Sequence, residues 1–173
     1  MKDTKGSVRS YHVLEEGAWE EVFNRLREQD LLWAFDCQFD APDPGHWLEI
    51  CRRPDTLLLE GRIDGVPAGL LTLLPFQERT RCGLVGVTGY RGFFSRADWL
   101  VRGALLWCFE HLDCASVLGC VAAPNHHVLR MAPRVGFRIL GTVPGACWYG
   151  RKQRFVDGVL MLATEETVKN CEV

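Results

Sequence analysis

The stretch Val85 to Leu106, VGVTGYRGFFSRADWLVRGALL, reads as a strand, a glycine-bearing turn and a long helix in immediate succession. Val85, Val87 and the glycines around them suit a strand that another backbone or a ligand approaches closely. Tyr90-Arg91-Gly92-Phe93-Phe94 supplies the turn. Ser95 then stands where an N-cap is expected, with Asp98 three residues later completing a Ser-x-x-acid box. Such a junction points free backbone N–H groups outward at the positive end of a helix dipole, which makes it an anion site. A chain with this junction needs a sheet for the strand to join, so the rest of the sequence is read for that sheet.

Val8 to Leu14 alternates like a first strand. Gly17 to Asp30 is helical, with Trp19, Val22, Phe23 and Leu26 on one face. Cys37 to Arg53 is broken by Pro42, Pro44 and Gly45. Its Gly45 to Ile50 part suits a short helix, and its aromatics Phe39 and Trp47 suit either a lid or substrate wall, or a second amphipathic helix capping the sheet. Thr56 to Ile63 and Val66 to Leu74 are strands joined by Asp64-Gly65, a strong hairpin signal because both turn positions need positive φ. A polar turn, Gln77 to Arg81, leads into Cys82 to Thr88, which makes a three-stranded antiparallel meander.

Ser95 to His111 is the main helix, with Trp99, Leu100, Gly103, Leu106, Trp107 and Glu110 at the helical period. Gly103 costs about 1 kcal/mol there relative to alanine, which fits a helix lying close against a sheet. Ala115 to Ala122 is a short apolar strand. Asn125 to Val135 is a second helix, loosened at its end by Pro133 and stopped by Gly136. Phe137 to Val143 is a strand, Pro144 to Arg154 a polar and aromatic loop, and Phe155 to Ala163 a last strand before a short tail at Thr164-Glu165-Glu166. The order predicts one α/β (α+β) domain over residues 1–173, with a central mixed, mostly antiparallel sheet flanked by helices.

Composition sets outer limits. A net charge of −2 and 24% charged residues give no overall attraction to nucleic acid. Local basic clusters remain at Arg91, Arg96 and Arg102, and at Arg151, Lys152 and Arg154. No apolar run reaches the roughly 18 residues of a membrane helix. The opening residues are polar, and none of the eight cysteines forms a Cys-x-x-Cys pair. That predicts a cytoplasmic protein with reduced, buried thiols and no zinc ribbon. Cys147, in the expected late loop, is the thiol to watch for reactivity. His126-His127 lacks partners at ligand spacing, so no metal site is expected.

Three motifs resemble those of the GNAT acyltransferase superfamily, and the order of elements is similar over nearly the whole chain. Val87-Thr88-Gly89-Tyr90-Arg91-Gly92 resembles the way that family's fourth strand leads into its pyrophosphate loop. Asn125 followed eleven residues later by Gly136-Phe137 is similar to the family's fifth-strand asparagine, helix and Gly-Phe. Asp157 to Glu166 looks like the last strand and Thr-x-Glu ending of the ribosomal-protein N-acetyltransferase branch. The resemblance implies a sheet splayed between its fourth and fifth strands, with acetyl-CoA as co-substrate in the splay. It implies a cofactor-binding set of Val85, Val87, Gly89, Arg91, Gly92, Phe93, Phe94, Ser95, Arg96, Ala97 and Asn125. The partners implied are a CoA thioester and an amine acceptor, small molecule or protein, and a homodimer is compatible with it.

The chain departs from the family pattern at two points. Phe94 and Arg96 occupy loop positions where the family has glycine, which would let backbone approach phosphate, and Asp98 adds a negative charge nearby. Ala132 stands where many members have a tyrosine acid, a loss that typically costs about 10²–10⁴ in rate. No glutamate lies in Cys82 to Thr88, so the catalytic candidates are Glu60, Glu78, His12 and Tyr149. The expected activity is N-acetylation of an amine by direct attack. The alternatives are an inactive fold serving as a binding or assembly module, and an enzyme taking a bulkier acyl-CoA.

Overall fold

A computed structural model describes residues 9–32, 43–77 and 81–171. Its centre is a seven-stranded sheet of order β1-β2-β3-β4-β5-β7-β6. The strands are β1 (Arg9–Val13), β2 (Leu57–Ile63), β3 (Val66–Gln77), β4 (Cys82–Gly89), β5 (Ser116–Ala122), β6 (Arg138–Tyr149) and β7 (Arg154–Thr164). The helices are α1 (Glu16–Glu28), α2 (Pro44–Cys51), α3 (Ala97–His111), α4 (His126–Met131) and α5 (Glu165–Lys169). All neighbouring strands pair antiparallel except β4 and β5, which are parallel. The Asp64-Gly65 hairpin forms as read, with φ of 51° and 79°.

Consecutive leucines explain why both faces of the sheet are covered. Side chains alternate across a strand, so Leu58 and Leu70 point to one face while Leu59 and Leu71 point to the other. The first pair joins Phe23 and Leu26 of α1 and Trp47 of α2 in one apolar cluster. The second joins Val101, Ala104 and Leu105 of α3, Val117 of β5 and Val168 of α5 in another. The α1–α2 layer and the α3–α5 layer therefore lie on opposite faces.

Several expectations are corrected. Ser95 is not an N-cap: Phe94–Arg96 is a turn of 3-10 helix, and α3 starts at Ala97 with no side-chain cap. A capping residue needs extended backbone, and Ser95 lies inside the 3-10 turn. The buried face of α3 is Leu100, Val101, Ala104, Leu105, Cys108 and Phe109. It is rotated from the predicted one, and Leu106 and Trp107 lie at its margin, only partly buried against the same cluster. Trp107 instead stacks on His111, with ring centroids 4.6 Å apart.

Trp47 is not an exposed wall; it is fully buried, and its Nε1–H donates to the Trp19 carbonyl at 2.9 Å. This bears out the reading of that segment as a second helix capping the sheet. Phe39 lies outside the described residues. The expected loop after Val143 is strand: β6 continues to Tyr149, and Pro144, Gly145 and Ala146 form a bulge between the pairs Val143–Gly158 and Cys147–Val156. Proline is tolerated there because β6 is an edge strand. Cys147 is consequently buried in β6, not held in a loop. The tail is α5, capped reciprocally by Thr164 and Thr167.

Two local readings hold. A Cβ on Gly103 would collide with the Tyr11 ring, so this glycine lets β1 and α3 meet. The Tyr11 hydroxyl donates to the Leu100 carbonyl at 3.2 Å. At Pro133 the helix tightens into a 3-10 turn, Ala132–Val135, and ends at Gly136 with φ of 99°.

Candidate functional site

β4 and β5 are joined by only four residue pairs, Cys82–Ser116 through Val85–Gly119. Beyond them the strands part. β4 stays paired to β3 as far as Gly89, and β5 stays paired to β7 as far as Ala122, so each strand keeps one bonded edge. Among the described residues no strand pairs with the facing edges there, and a strand edge without a partner strand presents N–H and C=O groups to whatever lies beside it.

The opening is a cleft of ≈ 1280 Å³. Small-molecule sites are typically about 300–1,000 Å³, so this one has room for two reactants. Its strand walls run from Leu84 to Gly89 and from Gly119 to Ala122. The start of α3 gives it Ala97 and Asp98, the α4 region gives Met131, Ala132 and Arg134, and β6 gives Trp148 and Tyr149. The ends of α1 and α2 close the far side through Leu31 and Ile50.

Of the residues predicted to hold cofactor, Val85, Val87, Gly89, Arg91, Phe94, Ala97 and Asn125 line this cleft. Gly92, Phe93, Ser95 and Arg96 are not among its lining residues. Phe93 packs inward between two apolar clusters. Phe94, at the position where glycine was expected, is 57% exposed.

The loop spends much of its donor capacity on itself. The N–H of Tyr90 donates to the Ala68 carbonyl at 2.9 Å, Phe93 to Tyr90 at 3.1 Å and Arg96 to Phe93 at 2.8 Å. The Ala97 N–H donates to the Phe94 carbonyl. The Arg91 N–H donates to Gln29 Oε1 at 2.7 Å, and its guanidinium lies 3.9 Å from the Asp30 carboxylate. The N–H groups of Gly92, Phe94 and Ser95 have no partner among the described residues. Asp98 does not leave a bare charge in the cleft, since Arg134 reaches across to it at 2.7 Å. Arg134 was missed in the sequence because nothing there relates it to α3.

Asn125 sits at the N-cap position of α4 yet makes no capping bond with its side chain, which leaves the amide available to the cleft. Among the described residues, Tyr149 is the one predicted acid–base candidate that lines the cleft. Glu60 lies elsewhere, only 1% exposed, with Oε1 accepting from Arg25 at 2.6 Å and Oε2 from Arg62 at 2.8 Å. His12 is on the outer strand β1, its Nε2 2.8 Å from Ser10 Oγ. Glu78 is outside the described residues. Ala132 is buried in the cleft wall, so no side chain there donates a proton. Cys120 also faces the cleft, with its Sγ 3.3 Å from that of Cys147.

Burial, followed by the nearby Glu60 carboxylate, holds the Tyr90 phenol above its usual range. The Arg25 guanidinium lies 5.3 Å from the Tyr90 ring centre. These contacts pin the first residue of the loop to the sheet. His126 and His127 are exposed, and no group of three or more metal-ligating side chains occurs among the described residues. No helix of the described residues is long and apolar enough to cross a membrane.

No protein-family model matches the sequence, and no curated protein does either. Solved structures do match. A spermidine N-acetyltransferase, SpeG from Vibrio cholerae, solved in complex with CoA and spermine, superposes with a TM-score of 0.75. It is 16% identical, over 94% of this chain and 98% of that one. A protein described as a probable acetyltransferase gives 0.69 at 17% identity, over 91% and 93%. At these identities the likeness is one of architecture: the chain has the GNAT fold, a seven-stranded mixed sheet opened between its fourth and fifth strands and covered by helices on both faces.

Proposed function

We propose that the protein is an acetyl-CoA-dependent N-acyltransferase that passes an acetyl group directly to an amine. The observation that carries this is the parting of β4 and β5 into a cleft whose β4 edge has no partner strand among the described residues. In this reading the thioester lies along Val85 to Gly89, and a free β4 N–H polarises its carbonyl as an oxyanion donor. Asn125 meets the pantetheine arm. The phosphates lie over Gly92 to Ala97, where the N–H groups of Gly92, Phe94 and Ser95 and the side chain of Arg91 serve them. A neutral amine attacks the carbonyl carbon, the C–S bond breaks, and the amine's excess proton leaves as the CoA thiolate gains one. In this reading Tyr149, which lines the cleft, supplies that proton and regains one from solvent. The CoA-bound acetyltransferase of the same fold supports the reading by analogy.

One observation favours the second reading, a fold kept as a binding module. Five N–H groups, of Tyr90, Arg91, Phe93, Arg96 and Ala97, are already bonded within the chain. Calorimetric titration with CoA and acetyl-CoA separates the two. The enzyme reading expects micromolar binding that weakens about tenfold or more in Arg91→Ala, the loss of one charge-assisted bond. Asn125→Ala should weaken acetyl-CoA binding while leaving stability nearly unchanged, because its side chain caps nothing. Absence of binding up to millimolar CoA refutes the enzyme reading.

A further inference from the structure

The cleft's charged residues pair off, with one exception of each sign. Asp98 is bound to Arg134, and Asp30 faces Arg91. That leaves Arg53 and Asp55, which also line the cleft and make no ion pair with each other or with any described residue. Both charges are therefore open to a ligand that enters the cleft.

The backbone that carries both is held in a defined turn. The Arg53 N–H donates to the Ile50 carbonyl at 3.2 Å, and the Thr56 N–H donates to the Arg53 carbonyl at 3.0 Å. This closes a β-turn with Pro54 and Asp55 at its central positions. Proline fixes φ at the first of these and aspartate is favoured in such turns, so the turn is preorganised. It follows α2 and leads into β2, and therefore belongs to the α1–α2 layer. α3, at whose start the phosphates would lie, packs its Val101, Ala104 and Leu105 against the opposite face of the sheet. An acceptor meeting a thioester between β4 and β5 would come from the Arg53–Asp55 side.

Resting on the acyltransferase reading, we propose that the acceptor is a small zwitterionic amine, an α-amino acid or a short peptide. Arg53 binds its carboxylate and Asp55 its ammonium group. The half-buried Asp55 carboxylate orients the ammonium group and favours its approach; the nitrogen attacks once its proton has passed to solvent water. A guanidinium suits a planar carboxylate in a two-bond fork. A polyamine fits poorly, since it would bring several cations to one free carboxylate beside an unpaired arginine, and like charges set against each other select against a partner.

The test uses the full chain, saturated with CoA for binding or supplied with acetyl-CoA for turnover. The probes are the common α-amino acids, their carboxamides and spermidine, read by calorimetry and by CoA release. At least one amino acid should bind and react about tenfold or more better than its carboxamide, the worth of a charge-assisted bond. In Arg53→Ala that preference should vanish while the affinity for CoA stays as in the parent. In Asp55→Asn the KM for the amino acid should rise. Equal use of acid and amide, preference for spermidine, or no amino acid bound by protein that does bind CoA overturns the proposal and leaves the acyltransferase reading standing. A chain that binds no CoA overturns both.

Discussion

Replacing Glu60 by glutamine should destabilise the protein without touching its chemistry. Each oxygen of this buried carboxylate accepts from a different guanidinium, Arg25 at 2.6 Å and Arg62 at 2.8 Å. Glutamine keeps the shape but offers one acceptor oxygen, and turns its NH₂ toward the other arginine. One charge-assisted bond is lost, worth about 1.5–3 kcal/mol, and the two cations lose their common counter-charge. Breaking a fully buried pair costs about 3–5 kcal/mol. Here Arg25 and Arg62 are 21% and 38% exposed, and water softens the loss. The expected cost is therefore about 2–3 kcal/mol, which for a chain of this size lowers Tm by roughly 4–12 °C. Thermal melts and urea titrations measure it, with Glu21→Gln as the control. Glu21 also pairs with Arg25 but is 72% exposed, so its loss should stay within about 1 kcal/mol. An E60Q protein as stable as the parent would refute this account of the pair. An E60Q protein that melts normally but has lost turnover would return Glu60 to the role of base.

Gly103→Ala should destabilise, although alanine is the better helix former by about 1 kcal/mol, because its Cβ would collide with Tyr11. The overpacking cost is about 1–3 kcal/mol and should shrink in a Tyr11→Leu background, which a double-mutant cycle by urea titration resolves. Burial pushes the thiols of Cys51 and Cys108 up to about 12. Their unfolded value is about 8.5, so the stability they contribute is complete below that pH and is lost as pH rises toward 12. Urea titrations from pH 8 to 10.5 should show a shallower decline in Cys108→Ala than in the parent; equal slopes would refute it.

The meander and its hairpin were legible because their signals are local: Asp64-Gly65 for the turn, and apolar runs on either side of it. The boundary of α3 was not. Ser-x-x-Asp fits a capping box, but nothing local reveals that Phe94 to Arg96 tighten into a 3-10 turn that moves the helix start to Ala97. β6 was cut short because Pro144-Gly145 reads as a turn; an edge strand absorbs it as a bulge, and edge position is a property of the whole sheet. At the site, Val85, Val87, Gly89 and Asn125, which line the cleft, were singled out through motif spacing along the chain. Arg134 against Asp98, and Arg53 with Asp55 on the far wall, were invisible because they depend on which elements face each other across the cleft. Glu60 shows the converse: an acid in a strand looks like a base until its two arginine partners, from α1 and from its own strand, are seen.

The four-pair join between β4 and β5 also has a mechanical meaning. It is the narrowest seam in the sheet, with β1 to β4 on one side and β5 to β7 on the other. Across it, α3 and the apolar cluster beneath it act as the splice. Slow hydrogen exchange should then divide the molecule along this line, with amides near Gly86 and Cys120 opening before those in the middle of either half. A ligand that fills the cleft touches both halves and behaves as a bolt through the seam. At a hundredfold excess over its Kd it would add about 2.7 kcal/mol against unfolding. The two halves would then open as one body.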